Sequence, residues 1–198
     1  VCTFLLVPAT HAIFNTANAA HPFIMGFIKF ALLATLGELL AIRISTGDWK
    51  IPYGVVARAA IWGFLGMVIV LIFKIFATGI AGALSTGLIP GGDSTFLFAL
   101  FTSASMNMTF APTMMFFHRI TDTYIDIKGE GGKPSLQVIT GRIDWNGYVS
   151  FVLLKTIPFF WIPAHTITFM LPAEYRVLAA AFLSIALGAL LAFGKRKK

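Results

Sequence analysis

VARAAIWGFLGMVIVLIFKIFATGIA, residues Val56–Ala81, decides the fold of this chain. Only Arg58 and Lys74 are charged within this stretch. A helix rises about 1.5 Å per residue and the hydrocarbon layer of a bilayer is about 30 Å thick, so about 20 apolar residues are enough to span it. The stretch therefore predicts a helix that crosses a membrane.

Four more stretches have the same character, and the composition agrees with them. They are Phe23–Ile42, Thr95–Phe117, Tyr148–Leu171 and Val177–Phe193. Hydrophobic residues make up 58% of the 198 residues and charged residues only 12%, which is typical of membrane proteins. The sequence predicts an all-α, polytopic transmembrane helical bundle with four to six membrane segments, five being favoured. We expect one integral membrane domain over residues 1–198.

The basic residues are distributed unevenly between the connectors. The net charge is +7, and eleven Lys and Arg residues fall in three regions: Arg43, Lys50 and Arg58; Arg119, Lys128, Lys133 and Arg142; and the tail Lys195–Lys198. The segments predicted on the opposite side of the membrane carry only one basic residue, Arg176. Cytoplasmic loops of membrane proteins are enriched in Lys and Arg, so this asymmetry predicts a cytoplasmic C-terminus. The charge follows the connectors rather than one basic face, which argues against a nucleic-acid partner.

Three segments lie outside the predicted spans. Residues 119–145 contain a Gly-rich stretch and predict a flexible connector on the cytoplasmic side, and residues 195–198 form a basic tail. Val1–Phe14 is apolar but lacks the basic start of a signal peptide, so we expect an amphipathic or partly inserted outer segment, with a sixth span as the alternative. Cys2 is the single cysteine and excludes an intramolecular disulfide.

Charged residues inside the predicted spans are the first candidates for a functional site. A charge in the bilayer costs about 2.5–3.5 kcal/mol on insertion scales, so it needs a partner or water. For Lys29 and Lys74 the favoured interpretation is that their long side chains reach the outer headgroups. Glu38 has a short side chain, and topology predicts it at the depth of Lys155. We therefore expect Glu38 to face the interior and to pair with Lys155.

Neutral polar residues supply two more candidates, Asn107 and His165. Asn107 follows a series of Ser and Thr residues in the third predicted span, and His165 lies between prolines in the fourth. Such groups either line a path for solutes or bond neighbouring helices to each other. The candidate pore-lining or interhelical residues are thus Glu38, Asn107, Lys155 and His165.

Enzyme and cofactor motifs are missing from the sequence. It contains no His-Glu-x-x-His metal motif, no phosphate-binding Gly-x-x-x-x-Gly-Lys-Ser/Thr loop and no Gly-x-Ser-x-Gly nucleophile turn. We therefore predict no catalytic residues, no metal ligands and no cofactor.

Two motifs resemble the Mpv-seventeen / peroxisomal-membrane-protein family. The stretch from Pro163 to Leu178 resembles the family's signature of Trp-Pro, Gln, Asn-Phe, Pro and Arg-Val-Leu, and Asn107–Pro112 resembles its Asp-Gln motif followed by Ala-Pro. Similar positions occur at His21-Pro22, Gly37-Glu38 and Asp48-Trp49-Lys50, so the resemblance covers about residues 21–192. The residues that correspond to the family signatures are Pro112, Pro163, Phe169, Pro172 and Arg176.

The resemblance implies a small multi-span membrane protein, and family members are described as non-selective or weakly selective channels. The chain departs from the family at His165 and Thr168, which replace its Gln and Asn, so it resembles a distant, prokaryotic member. We expect a pore or transporter for small solutes in a bacterial or archaeal plasma membrane, with an organelle membrane as the alternative. The alternative function is a non-conducting scaffold or lipid-binding protein. The expected partners are membrane lipids, a small-molecule solute and further copies of the chain.

Overall fold

The computed structural model describes residues 7–196, without the side chains of residues 8, 9, 191 and 193–196. Within this range the chain forms seven helices and is all-α, as predicted. They are α1 (Pro8–Ala20), α2 (Pro22–Thr46), α3 (Val55–Ser85), α4 (Thr95–Gly129), α5 (Leu136–Arg142), α6 (Trp145–Met170) and α7 (Ala173–Arg196). Cys2 and the end of the basic tail lie outside the described residues, as does the first part of Val1–Phe14.

Local sequence signals explain where several helices begin and end. Pro22 occupies the first turn of α2, where its missing N–H is not needed, and Gly47 ends the helix in the left-handed conformation with φ of 85°. Ser94 caps α4 by accepting a hydrogen bond from the Leu97 N–H at 3.3 Å. Asp144 caps α6 in the same way, at 2.8 Å from the Gly147 nitrogen.

Four of the described helices are long and apolar enough to cross a bilayer. They are α2, α3, α6 and the part Ala173–Leu190 of α7. The third predicted span belongs to α4, which has 35 residues but is less apolar. The polar residues Thr102, Ser103 and Asn107 lower the hydropathy of α4. All three are buried among neighbouring helices, so they are not exposed to lipid.

Helix α4 lies antiparallel to α3. At one end of the pair Gly129 packs against the ring of Tyr53, and further along the rings of Trp62 and His118 are 4.2 Å apart. The short connector 86–94 joins the opposite ends of the two helices. Because α4 accompanies α3 in this way, a bilayer that α3 crosses is crossed by α4 as well. The arrangement therefore supports five crossings.

The direction of α7 agrees with five crossings. Gly37 of α2 packs against Ile185, and Ala41, one turn later, lies near Gly188, so α2 and α7 are parallel. A first and a fifth crossing run in the same direction, whereas a first and a fourth would not. The basic connectors after α2 and α4 and the C-terminus of α7 consequently meet at one end of the bundle, which we call the basic end.

Most of the connector 119–145 is helical, which corrects the prediction of a flexible segment. Helix α4 continues to Gly129, and α5 covers Leu136–Arg142, so only residues 130–135 and 143–144 are non-helical. Ile127, Ile139 and Ile143 form a small buried cluster that holds α5 against α4. The Gly-rich motif dominated the sequence interpretation, although it occupies only the turn between two helices.

Helix α6 is wound unusually over its first half. Residues Tyr148–Trp161 form π-helical turns, and the Thr156 hydroxyl donates to the carbonyl of Phe151, five residues earlier. Pro158 lies within this stretch and has no N–H to donate. Wide turns of this kind are rare and occur frequently at functional sites. The regular α-helix resumes at Ile162, shortly before His165.

Glycines allow α2 to approach α3 closely. A Cβ atom at Gly26 would lie 2.8 Å from the carbonyl oxygen of Gly66, and a Cβ atom at Gly66 would lie 2.7 Å from Cβ of Phe30. Small residues permit such backbone contact in membranes, where burial from water does not drive helix association. In contrast, a Cβ atom at Gly79 of α3 would meet nothing within 4 Å.

We expect Gly66→Ala to lower the free energy of unfolding by about 1–3 kcal/mol, because the added methyl group must push α2 and α3 apart. The matched variant Gly79→Ala should be neutral or slightly stabilising, because alanine favours helix and has room there. Unfolding by sodium dodecyl sulfate in mild detergent micelles measures both. Equal destabilisation by the two variants would contradict the close contact.

Candidate functional site

A chamber of about 270 Å³ lies inside the bundle and is surrounded by α2, α3, α4, α6 and α7. Its walls are mostly apolar, with Phe30, Ile69, Phe73, Met106 and Trp161 among the lining residues. Four lining residues carry amide, carboxylate or imidazole groups: Glu38, Asn107, His118 and His165. An apolar cavity with a few convergent polar groups is the usual form of a small-molecule site.

Two predicted site residues, Asn107 and His165, meet in the wall of the chamber. Asn107 is 1% exposed, and its Nδ2 donates to the carbonyl of Ser103 at 2.9 Å and lies 3.0 Å from Nδ1 of His165. The His165 ring stacks on Trp161 with centroids 5.2 Å apart and meets the edge of Phe73. This network joins α4 to α6, so the two residues both line the chamber and connect helices.

Glu38 also lines the chamber, but its partners differ from the prediction. The Trp62 Nε1–H donates to Oε1 of Glu38 at 2.7 Å, and Nε2 of His118 lies 3.6 Å from the same oxygen. Lys155 is exposed on the outside of α6. The predicted pair of Glu38 and Lys155 is therefore wrong. The direction in which α6 turns Lys155 depends on contacts between helices, which the sequence does not give.

An ion-pair cluster continues from Glu38 and His118 to the basic end. Nη1 of Arg58 lies 3.0 Å from Oδ1 of Asp122, and Nη2 lies 2.6 Å from Oδ1 of Asp126. Sequence analysis missed this cluster. His118, Asp122 and Asp126 recur every four residues, which predicts one face of a helix, but the predicted flexible connector concealed this signal.

Glu38, His118 and Asp122 could hold a metal ion. Each offers one ligand atom, and the three atoms lie within 4.8 Å of one another. Two carboxylates and one imidazole are a donor set that divalent transition metals accept. The nearby Arg58 guanidinium, which is bonded to Asp122, opposes a further positive charge at this position. The prediction of no metal ligand stays a prediction.

Two further cavities flank the chamber. The inner vestibule, about 330 Å³ at the basic end, is lined by Met115, His118, Arg119, Asp122, Thr123, Asp126, Tyr148 and Val152. The outer vestibule, about 680 Å³ at the opposite end, is lined by Asn18, Pro22, Phe23, Lys29, Val70, Leu71, Phe73, Lys74, Ala77, Thr78, Ala81, Ala173, Glu174, Arg176 and Val177. His118 and Met115 border both the chamber and the inner vestibule, and Phe73 borders both the chamber and the outer vestibule.

The residues of the family-like signatures have structural roles around these cavities. Phe169 is fully buried, and the Arg176 guanidinium lies over its ring at 5.6 Å while Nε donates to the carbonyl of Leu171. Pro172 lies in the break between α6 and α7, and Pro163 lies in the regular part of α6. The fifth residue, Pro112, is inside α4, and its carbonyl accepts a hydrogen bond from a tyrosine hydroxyl of α6.

Comparison with known proteins gives no relative: no family model, no curated protein and no solved structure matches this chain. The resemblance to the Mpv-seventeen family therefore stays a prediction from the motifs. The fold and its apolar helices define the class of the protein, which is an α-helical membrane protein.

Asp122 gives the inner vestibule a pH dependence. Burial raises the pKa of Asp122 from 3.8 to about 6, against the opposing effect of Arg58, and Asp122 lies beyond the predicted span Thr95–Phe117. Between these two pH values the folded protein keeps a proton that the unfolded chain has released, so this group stabilises the fold more at the acidic end.

We expect the contribution of Asp122 to the free energy of unfolding to fall as the pH rises from about 4 to about 6. One titrating group changes this energy by about 1.4 kcal/mol per pH unit at most. Asp122→Asn should remove that pH-dependent contribution, whereas the control Asp48→Asn, at an exposed position, should leave it in place. Denaturant unfolding of the three proteins at several pH values provides the measurement, and identical pH profiles would refute the assignment.

Proposed function

We propose that this protein carries small solutes across a membrane through the chamber and its two vestibules. The observation that supports this proposal is the alignment of the three cavities from one end of the bundle to the other. Neighbouring cavities share lining residues, Phe73 at one boundary and His118 with Met115 at the other. A protein whose helices served only to pack together would gain nothing from such a series of spaces, since voids cost stability.

The chemistry of the chamber favours a solute that is partly apolar. Most of its wall consists of aliphatic, aromatic and methionine side chains, which do not replace the hydration of an ion or a sugar. Glu38, Asn107 and His165 would bind the few polar groups of such a solute. An open water-filled pore would need a more polar lining than this, so a gated carrier fits better than a channel.

Two constrictions would act as the gates of this carrier. Phe73 is buried between the chamber and the outer vestibule, where its ring packs against His165 and Phe169. Glu38 and His118 stand between the chamber and the inner vestibule. Alternating access requires that one barrier opens while the other stays closed, and the π-helical turns of α6 are a suitable place for that movement.

The orientation and the membrane belong to the same proposal. The basic connectors lie at one end of the bundle, and cytoplasmic loops of membrane proteins are enriched in Lys and Arg. This supports an orientation in which the basic end and the C-terminus are cytoplasmic. The motif resemblance supports solute passage in a bacterial or archaeal plasma membrane. We propose that the protein has no catalytic activity. We also propose that its partners are membrane lipids or further copies of the chain.

The second candidate function is a non-conducting scaffold. It is favoured by one observation, namely that many buried polar groups already bond to one another, as Asn107 does with His165 and Arg58 with Asp122. Each such interhelical bond contributes only about 0.6 kcal/mol on average, but together they would hold a bundle. Measured solute flux separates the two functions.

We expect Phe73→Leu to raise the flux of radiolabelled phenylalanine, a partly apolar solute, out of proteoliposomes severalfold, because a smaller side chain opens the boundary at the outer vestibule. Phe64→Leu is the matched control, since Phe64 lies on the same helix and is 47% exposed. An unchanged flux in Phe73→Leu would exclude Phe73 as a gate. Absence of protein-dependent phenylalanine flux would favour the scaffold.

We expect Glu38→Gln to lower the same flux by about tenfold, the effect of losing one charge-assisted hydrogen bond to the solute. Glutamine keeps an oxygen that can accept from Trp62, so the local packing is preserved. Glu130→Gln removes a charge from an exposed pair with Arg142 and serves as the control. The role of Glu38 would be contradicted if both variants conducted like the wild type.

A further inference from the structure

The outer vestibule contains a lysine whose charge has little compensation. Lys29 of α2 is only 7% exposed, and it lines the cavity rather than reaching the headgroups. This corrects the expectation that the side chain of Lys29 reaches the outer headgroups, whereas the same expectation for the exposed Lys74 stays a prediction. The Lys29 ammonium donates one hydrogen bond, to Oδ1 of Asn18, and lies 5.0 Å from the centre of the Phe14 ring. No carboxylate in the described part of the chain forms an ion pair with it.

Unused hydrogen-bond donors are concentrated around this lysine. An ammonium group has three N–H bonds, and Asn18 accepts one of them. The Nδ2 group of Asn18 is itself buried and has no hydrogen-bond partner. Both groups belong to residues that line the vestibule. Buried donors without acceptors are destabilising, and more so when they are charged, so native proteins rarely contain them.

The other charged residues of the vestibule have the same sign, with one exception. Lys74 of α3 and Arg176 of α7 line the cavity together with Lys29, and Glu174 is the acidic residue among the described lining residues. Glu174 is exposed and follows the start of α7, so it does not neutralise the buried lysine. Three cationic groups from three helices therefore face one space against a single exposed carboxylate.

We propose that the outer vestibule binds an amphipathic anion, whose carboxylate or phosphate group is held by Lys29 and Asn18. The anion supplies the acceptors that these donors lack and compensates the charge of Lys29, with Arg176 and Lys74 adding long-range attraction. The existence of this site does not depend on the proposed transport function, because it requires only the arrangement of α1, α2, α3 and α7 around the outer vestibule.

The remaining walls explain why the ligand has an apolar part. Phe23, Val70, Phe73 and Ala77 line the vestibule beside the cationic groups. Hydrocarbon that covers these side chains removes apolar surface from water, which favours binding. An anionic lipid of the surrounding membrane and a free amphipathic anion share this chemistry, and binding experiments distinguish the two sources.

The first experiment measures binding of octyl phosphate, below its micellar concentration, to the purified protein in dodecyl maltoside by isothermal titration calorimetry. We expect Lys29→Gln to weaken binding by about tenfold or more, the effect of losing a charge-assisted hydrogen bond, and Lys29→Arg to retain most of it. Lys155→Gln is the matched control, because it removes an exposed lysine that lines none of these cavities. Equal affinity in wild type and Lys29→Gln would overturn the proposal, as would equal weakening in Lys155→Gln.

The second experiment identifies the source of the anion. Protein reconstituted in nanodiscs with phosphatidylglycerol and phosphatidylcholine is released and examined by native mass spectrometry. Retention of phosphatidylglycerol by the wild type but not by Lys29→Gln indicates a lipid ligand. Octyl phosphate binding without retained phosphatidylglycerol indicates a free amphipathic anion. Absence of both overturns the site. If Lys29→Gln does not fold, Arg176→Gln replaces it, with a smaller expected loss.

Discussion

The bundle depends on the close contact of α2 with α3 and α7 through glycines. Gly26 and Gly66 bring the backbones of α2 and α3 together, and Gly37 and Gly188 do the same for α2 and α7. In lipid, apolar side chains gain little by touching one another, so van der Waals contact between backbones determines which helices meet. Helix α2 is thereby fixed between an antiparallel and a parallel neighbour, and this arrangement sets the positions of the residues around the chamber.

The second constraint is that polar groups inside the bundle need partners. Asn107 bonds to Ser103 and approaches His165, and Glu38 accepts from Trp62. These satisfied groups face the chamber, whereas the ammonium group of Lys29 has incomplete hydrogen bonding at the outer vestibule. Bonded groups such as Asn107 and Glu38 connect neighbouring helices, whereas the unused N–H groups of Lys29 and Asn18 are available for a ligand.

The candidate site was predicted in part. Glu38, Asn107 and His165 line one chamber, and their polarity within apolar stretches was a sufficient signal for each. The predicted partner of Glu38 was wrong, because Lys155 is exposed on the outside of α6. His118 and Asp122 were overlooked, since the glycines near residue 130 suggested a flexible connector where α4 continues as a helix. The spacing of four residues between His118 and Asp122 is present in the sequence, but it places the two side chains on one face only if the segment is a helix.

The sequence by itself determined that this chain is a bundle of membrane helices with its basic connectors at one end. The free energy of transferring each residue from water into lipid depends mainly on that residue, so these contributions can be added along a stretch of sequence to predict a membrane helix. Only the tertiary structure decided that α7 lies parallel to α2, that Lys29 is buried and that three cavities follow one another. Those features depend on the rotation of each helix about its axis, which is set by contacts between residues far apart in the chain.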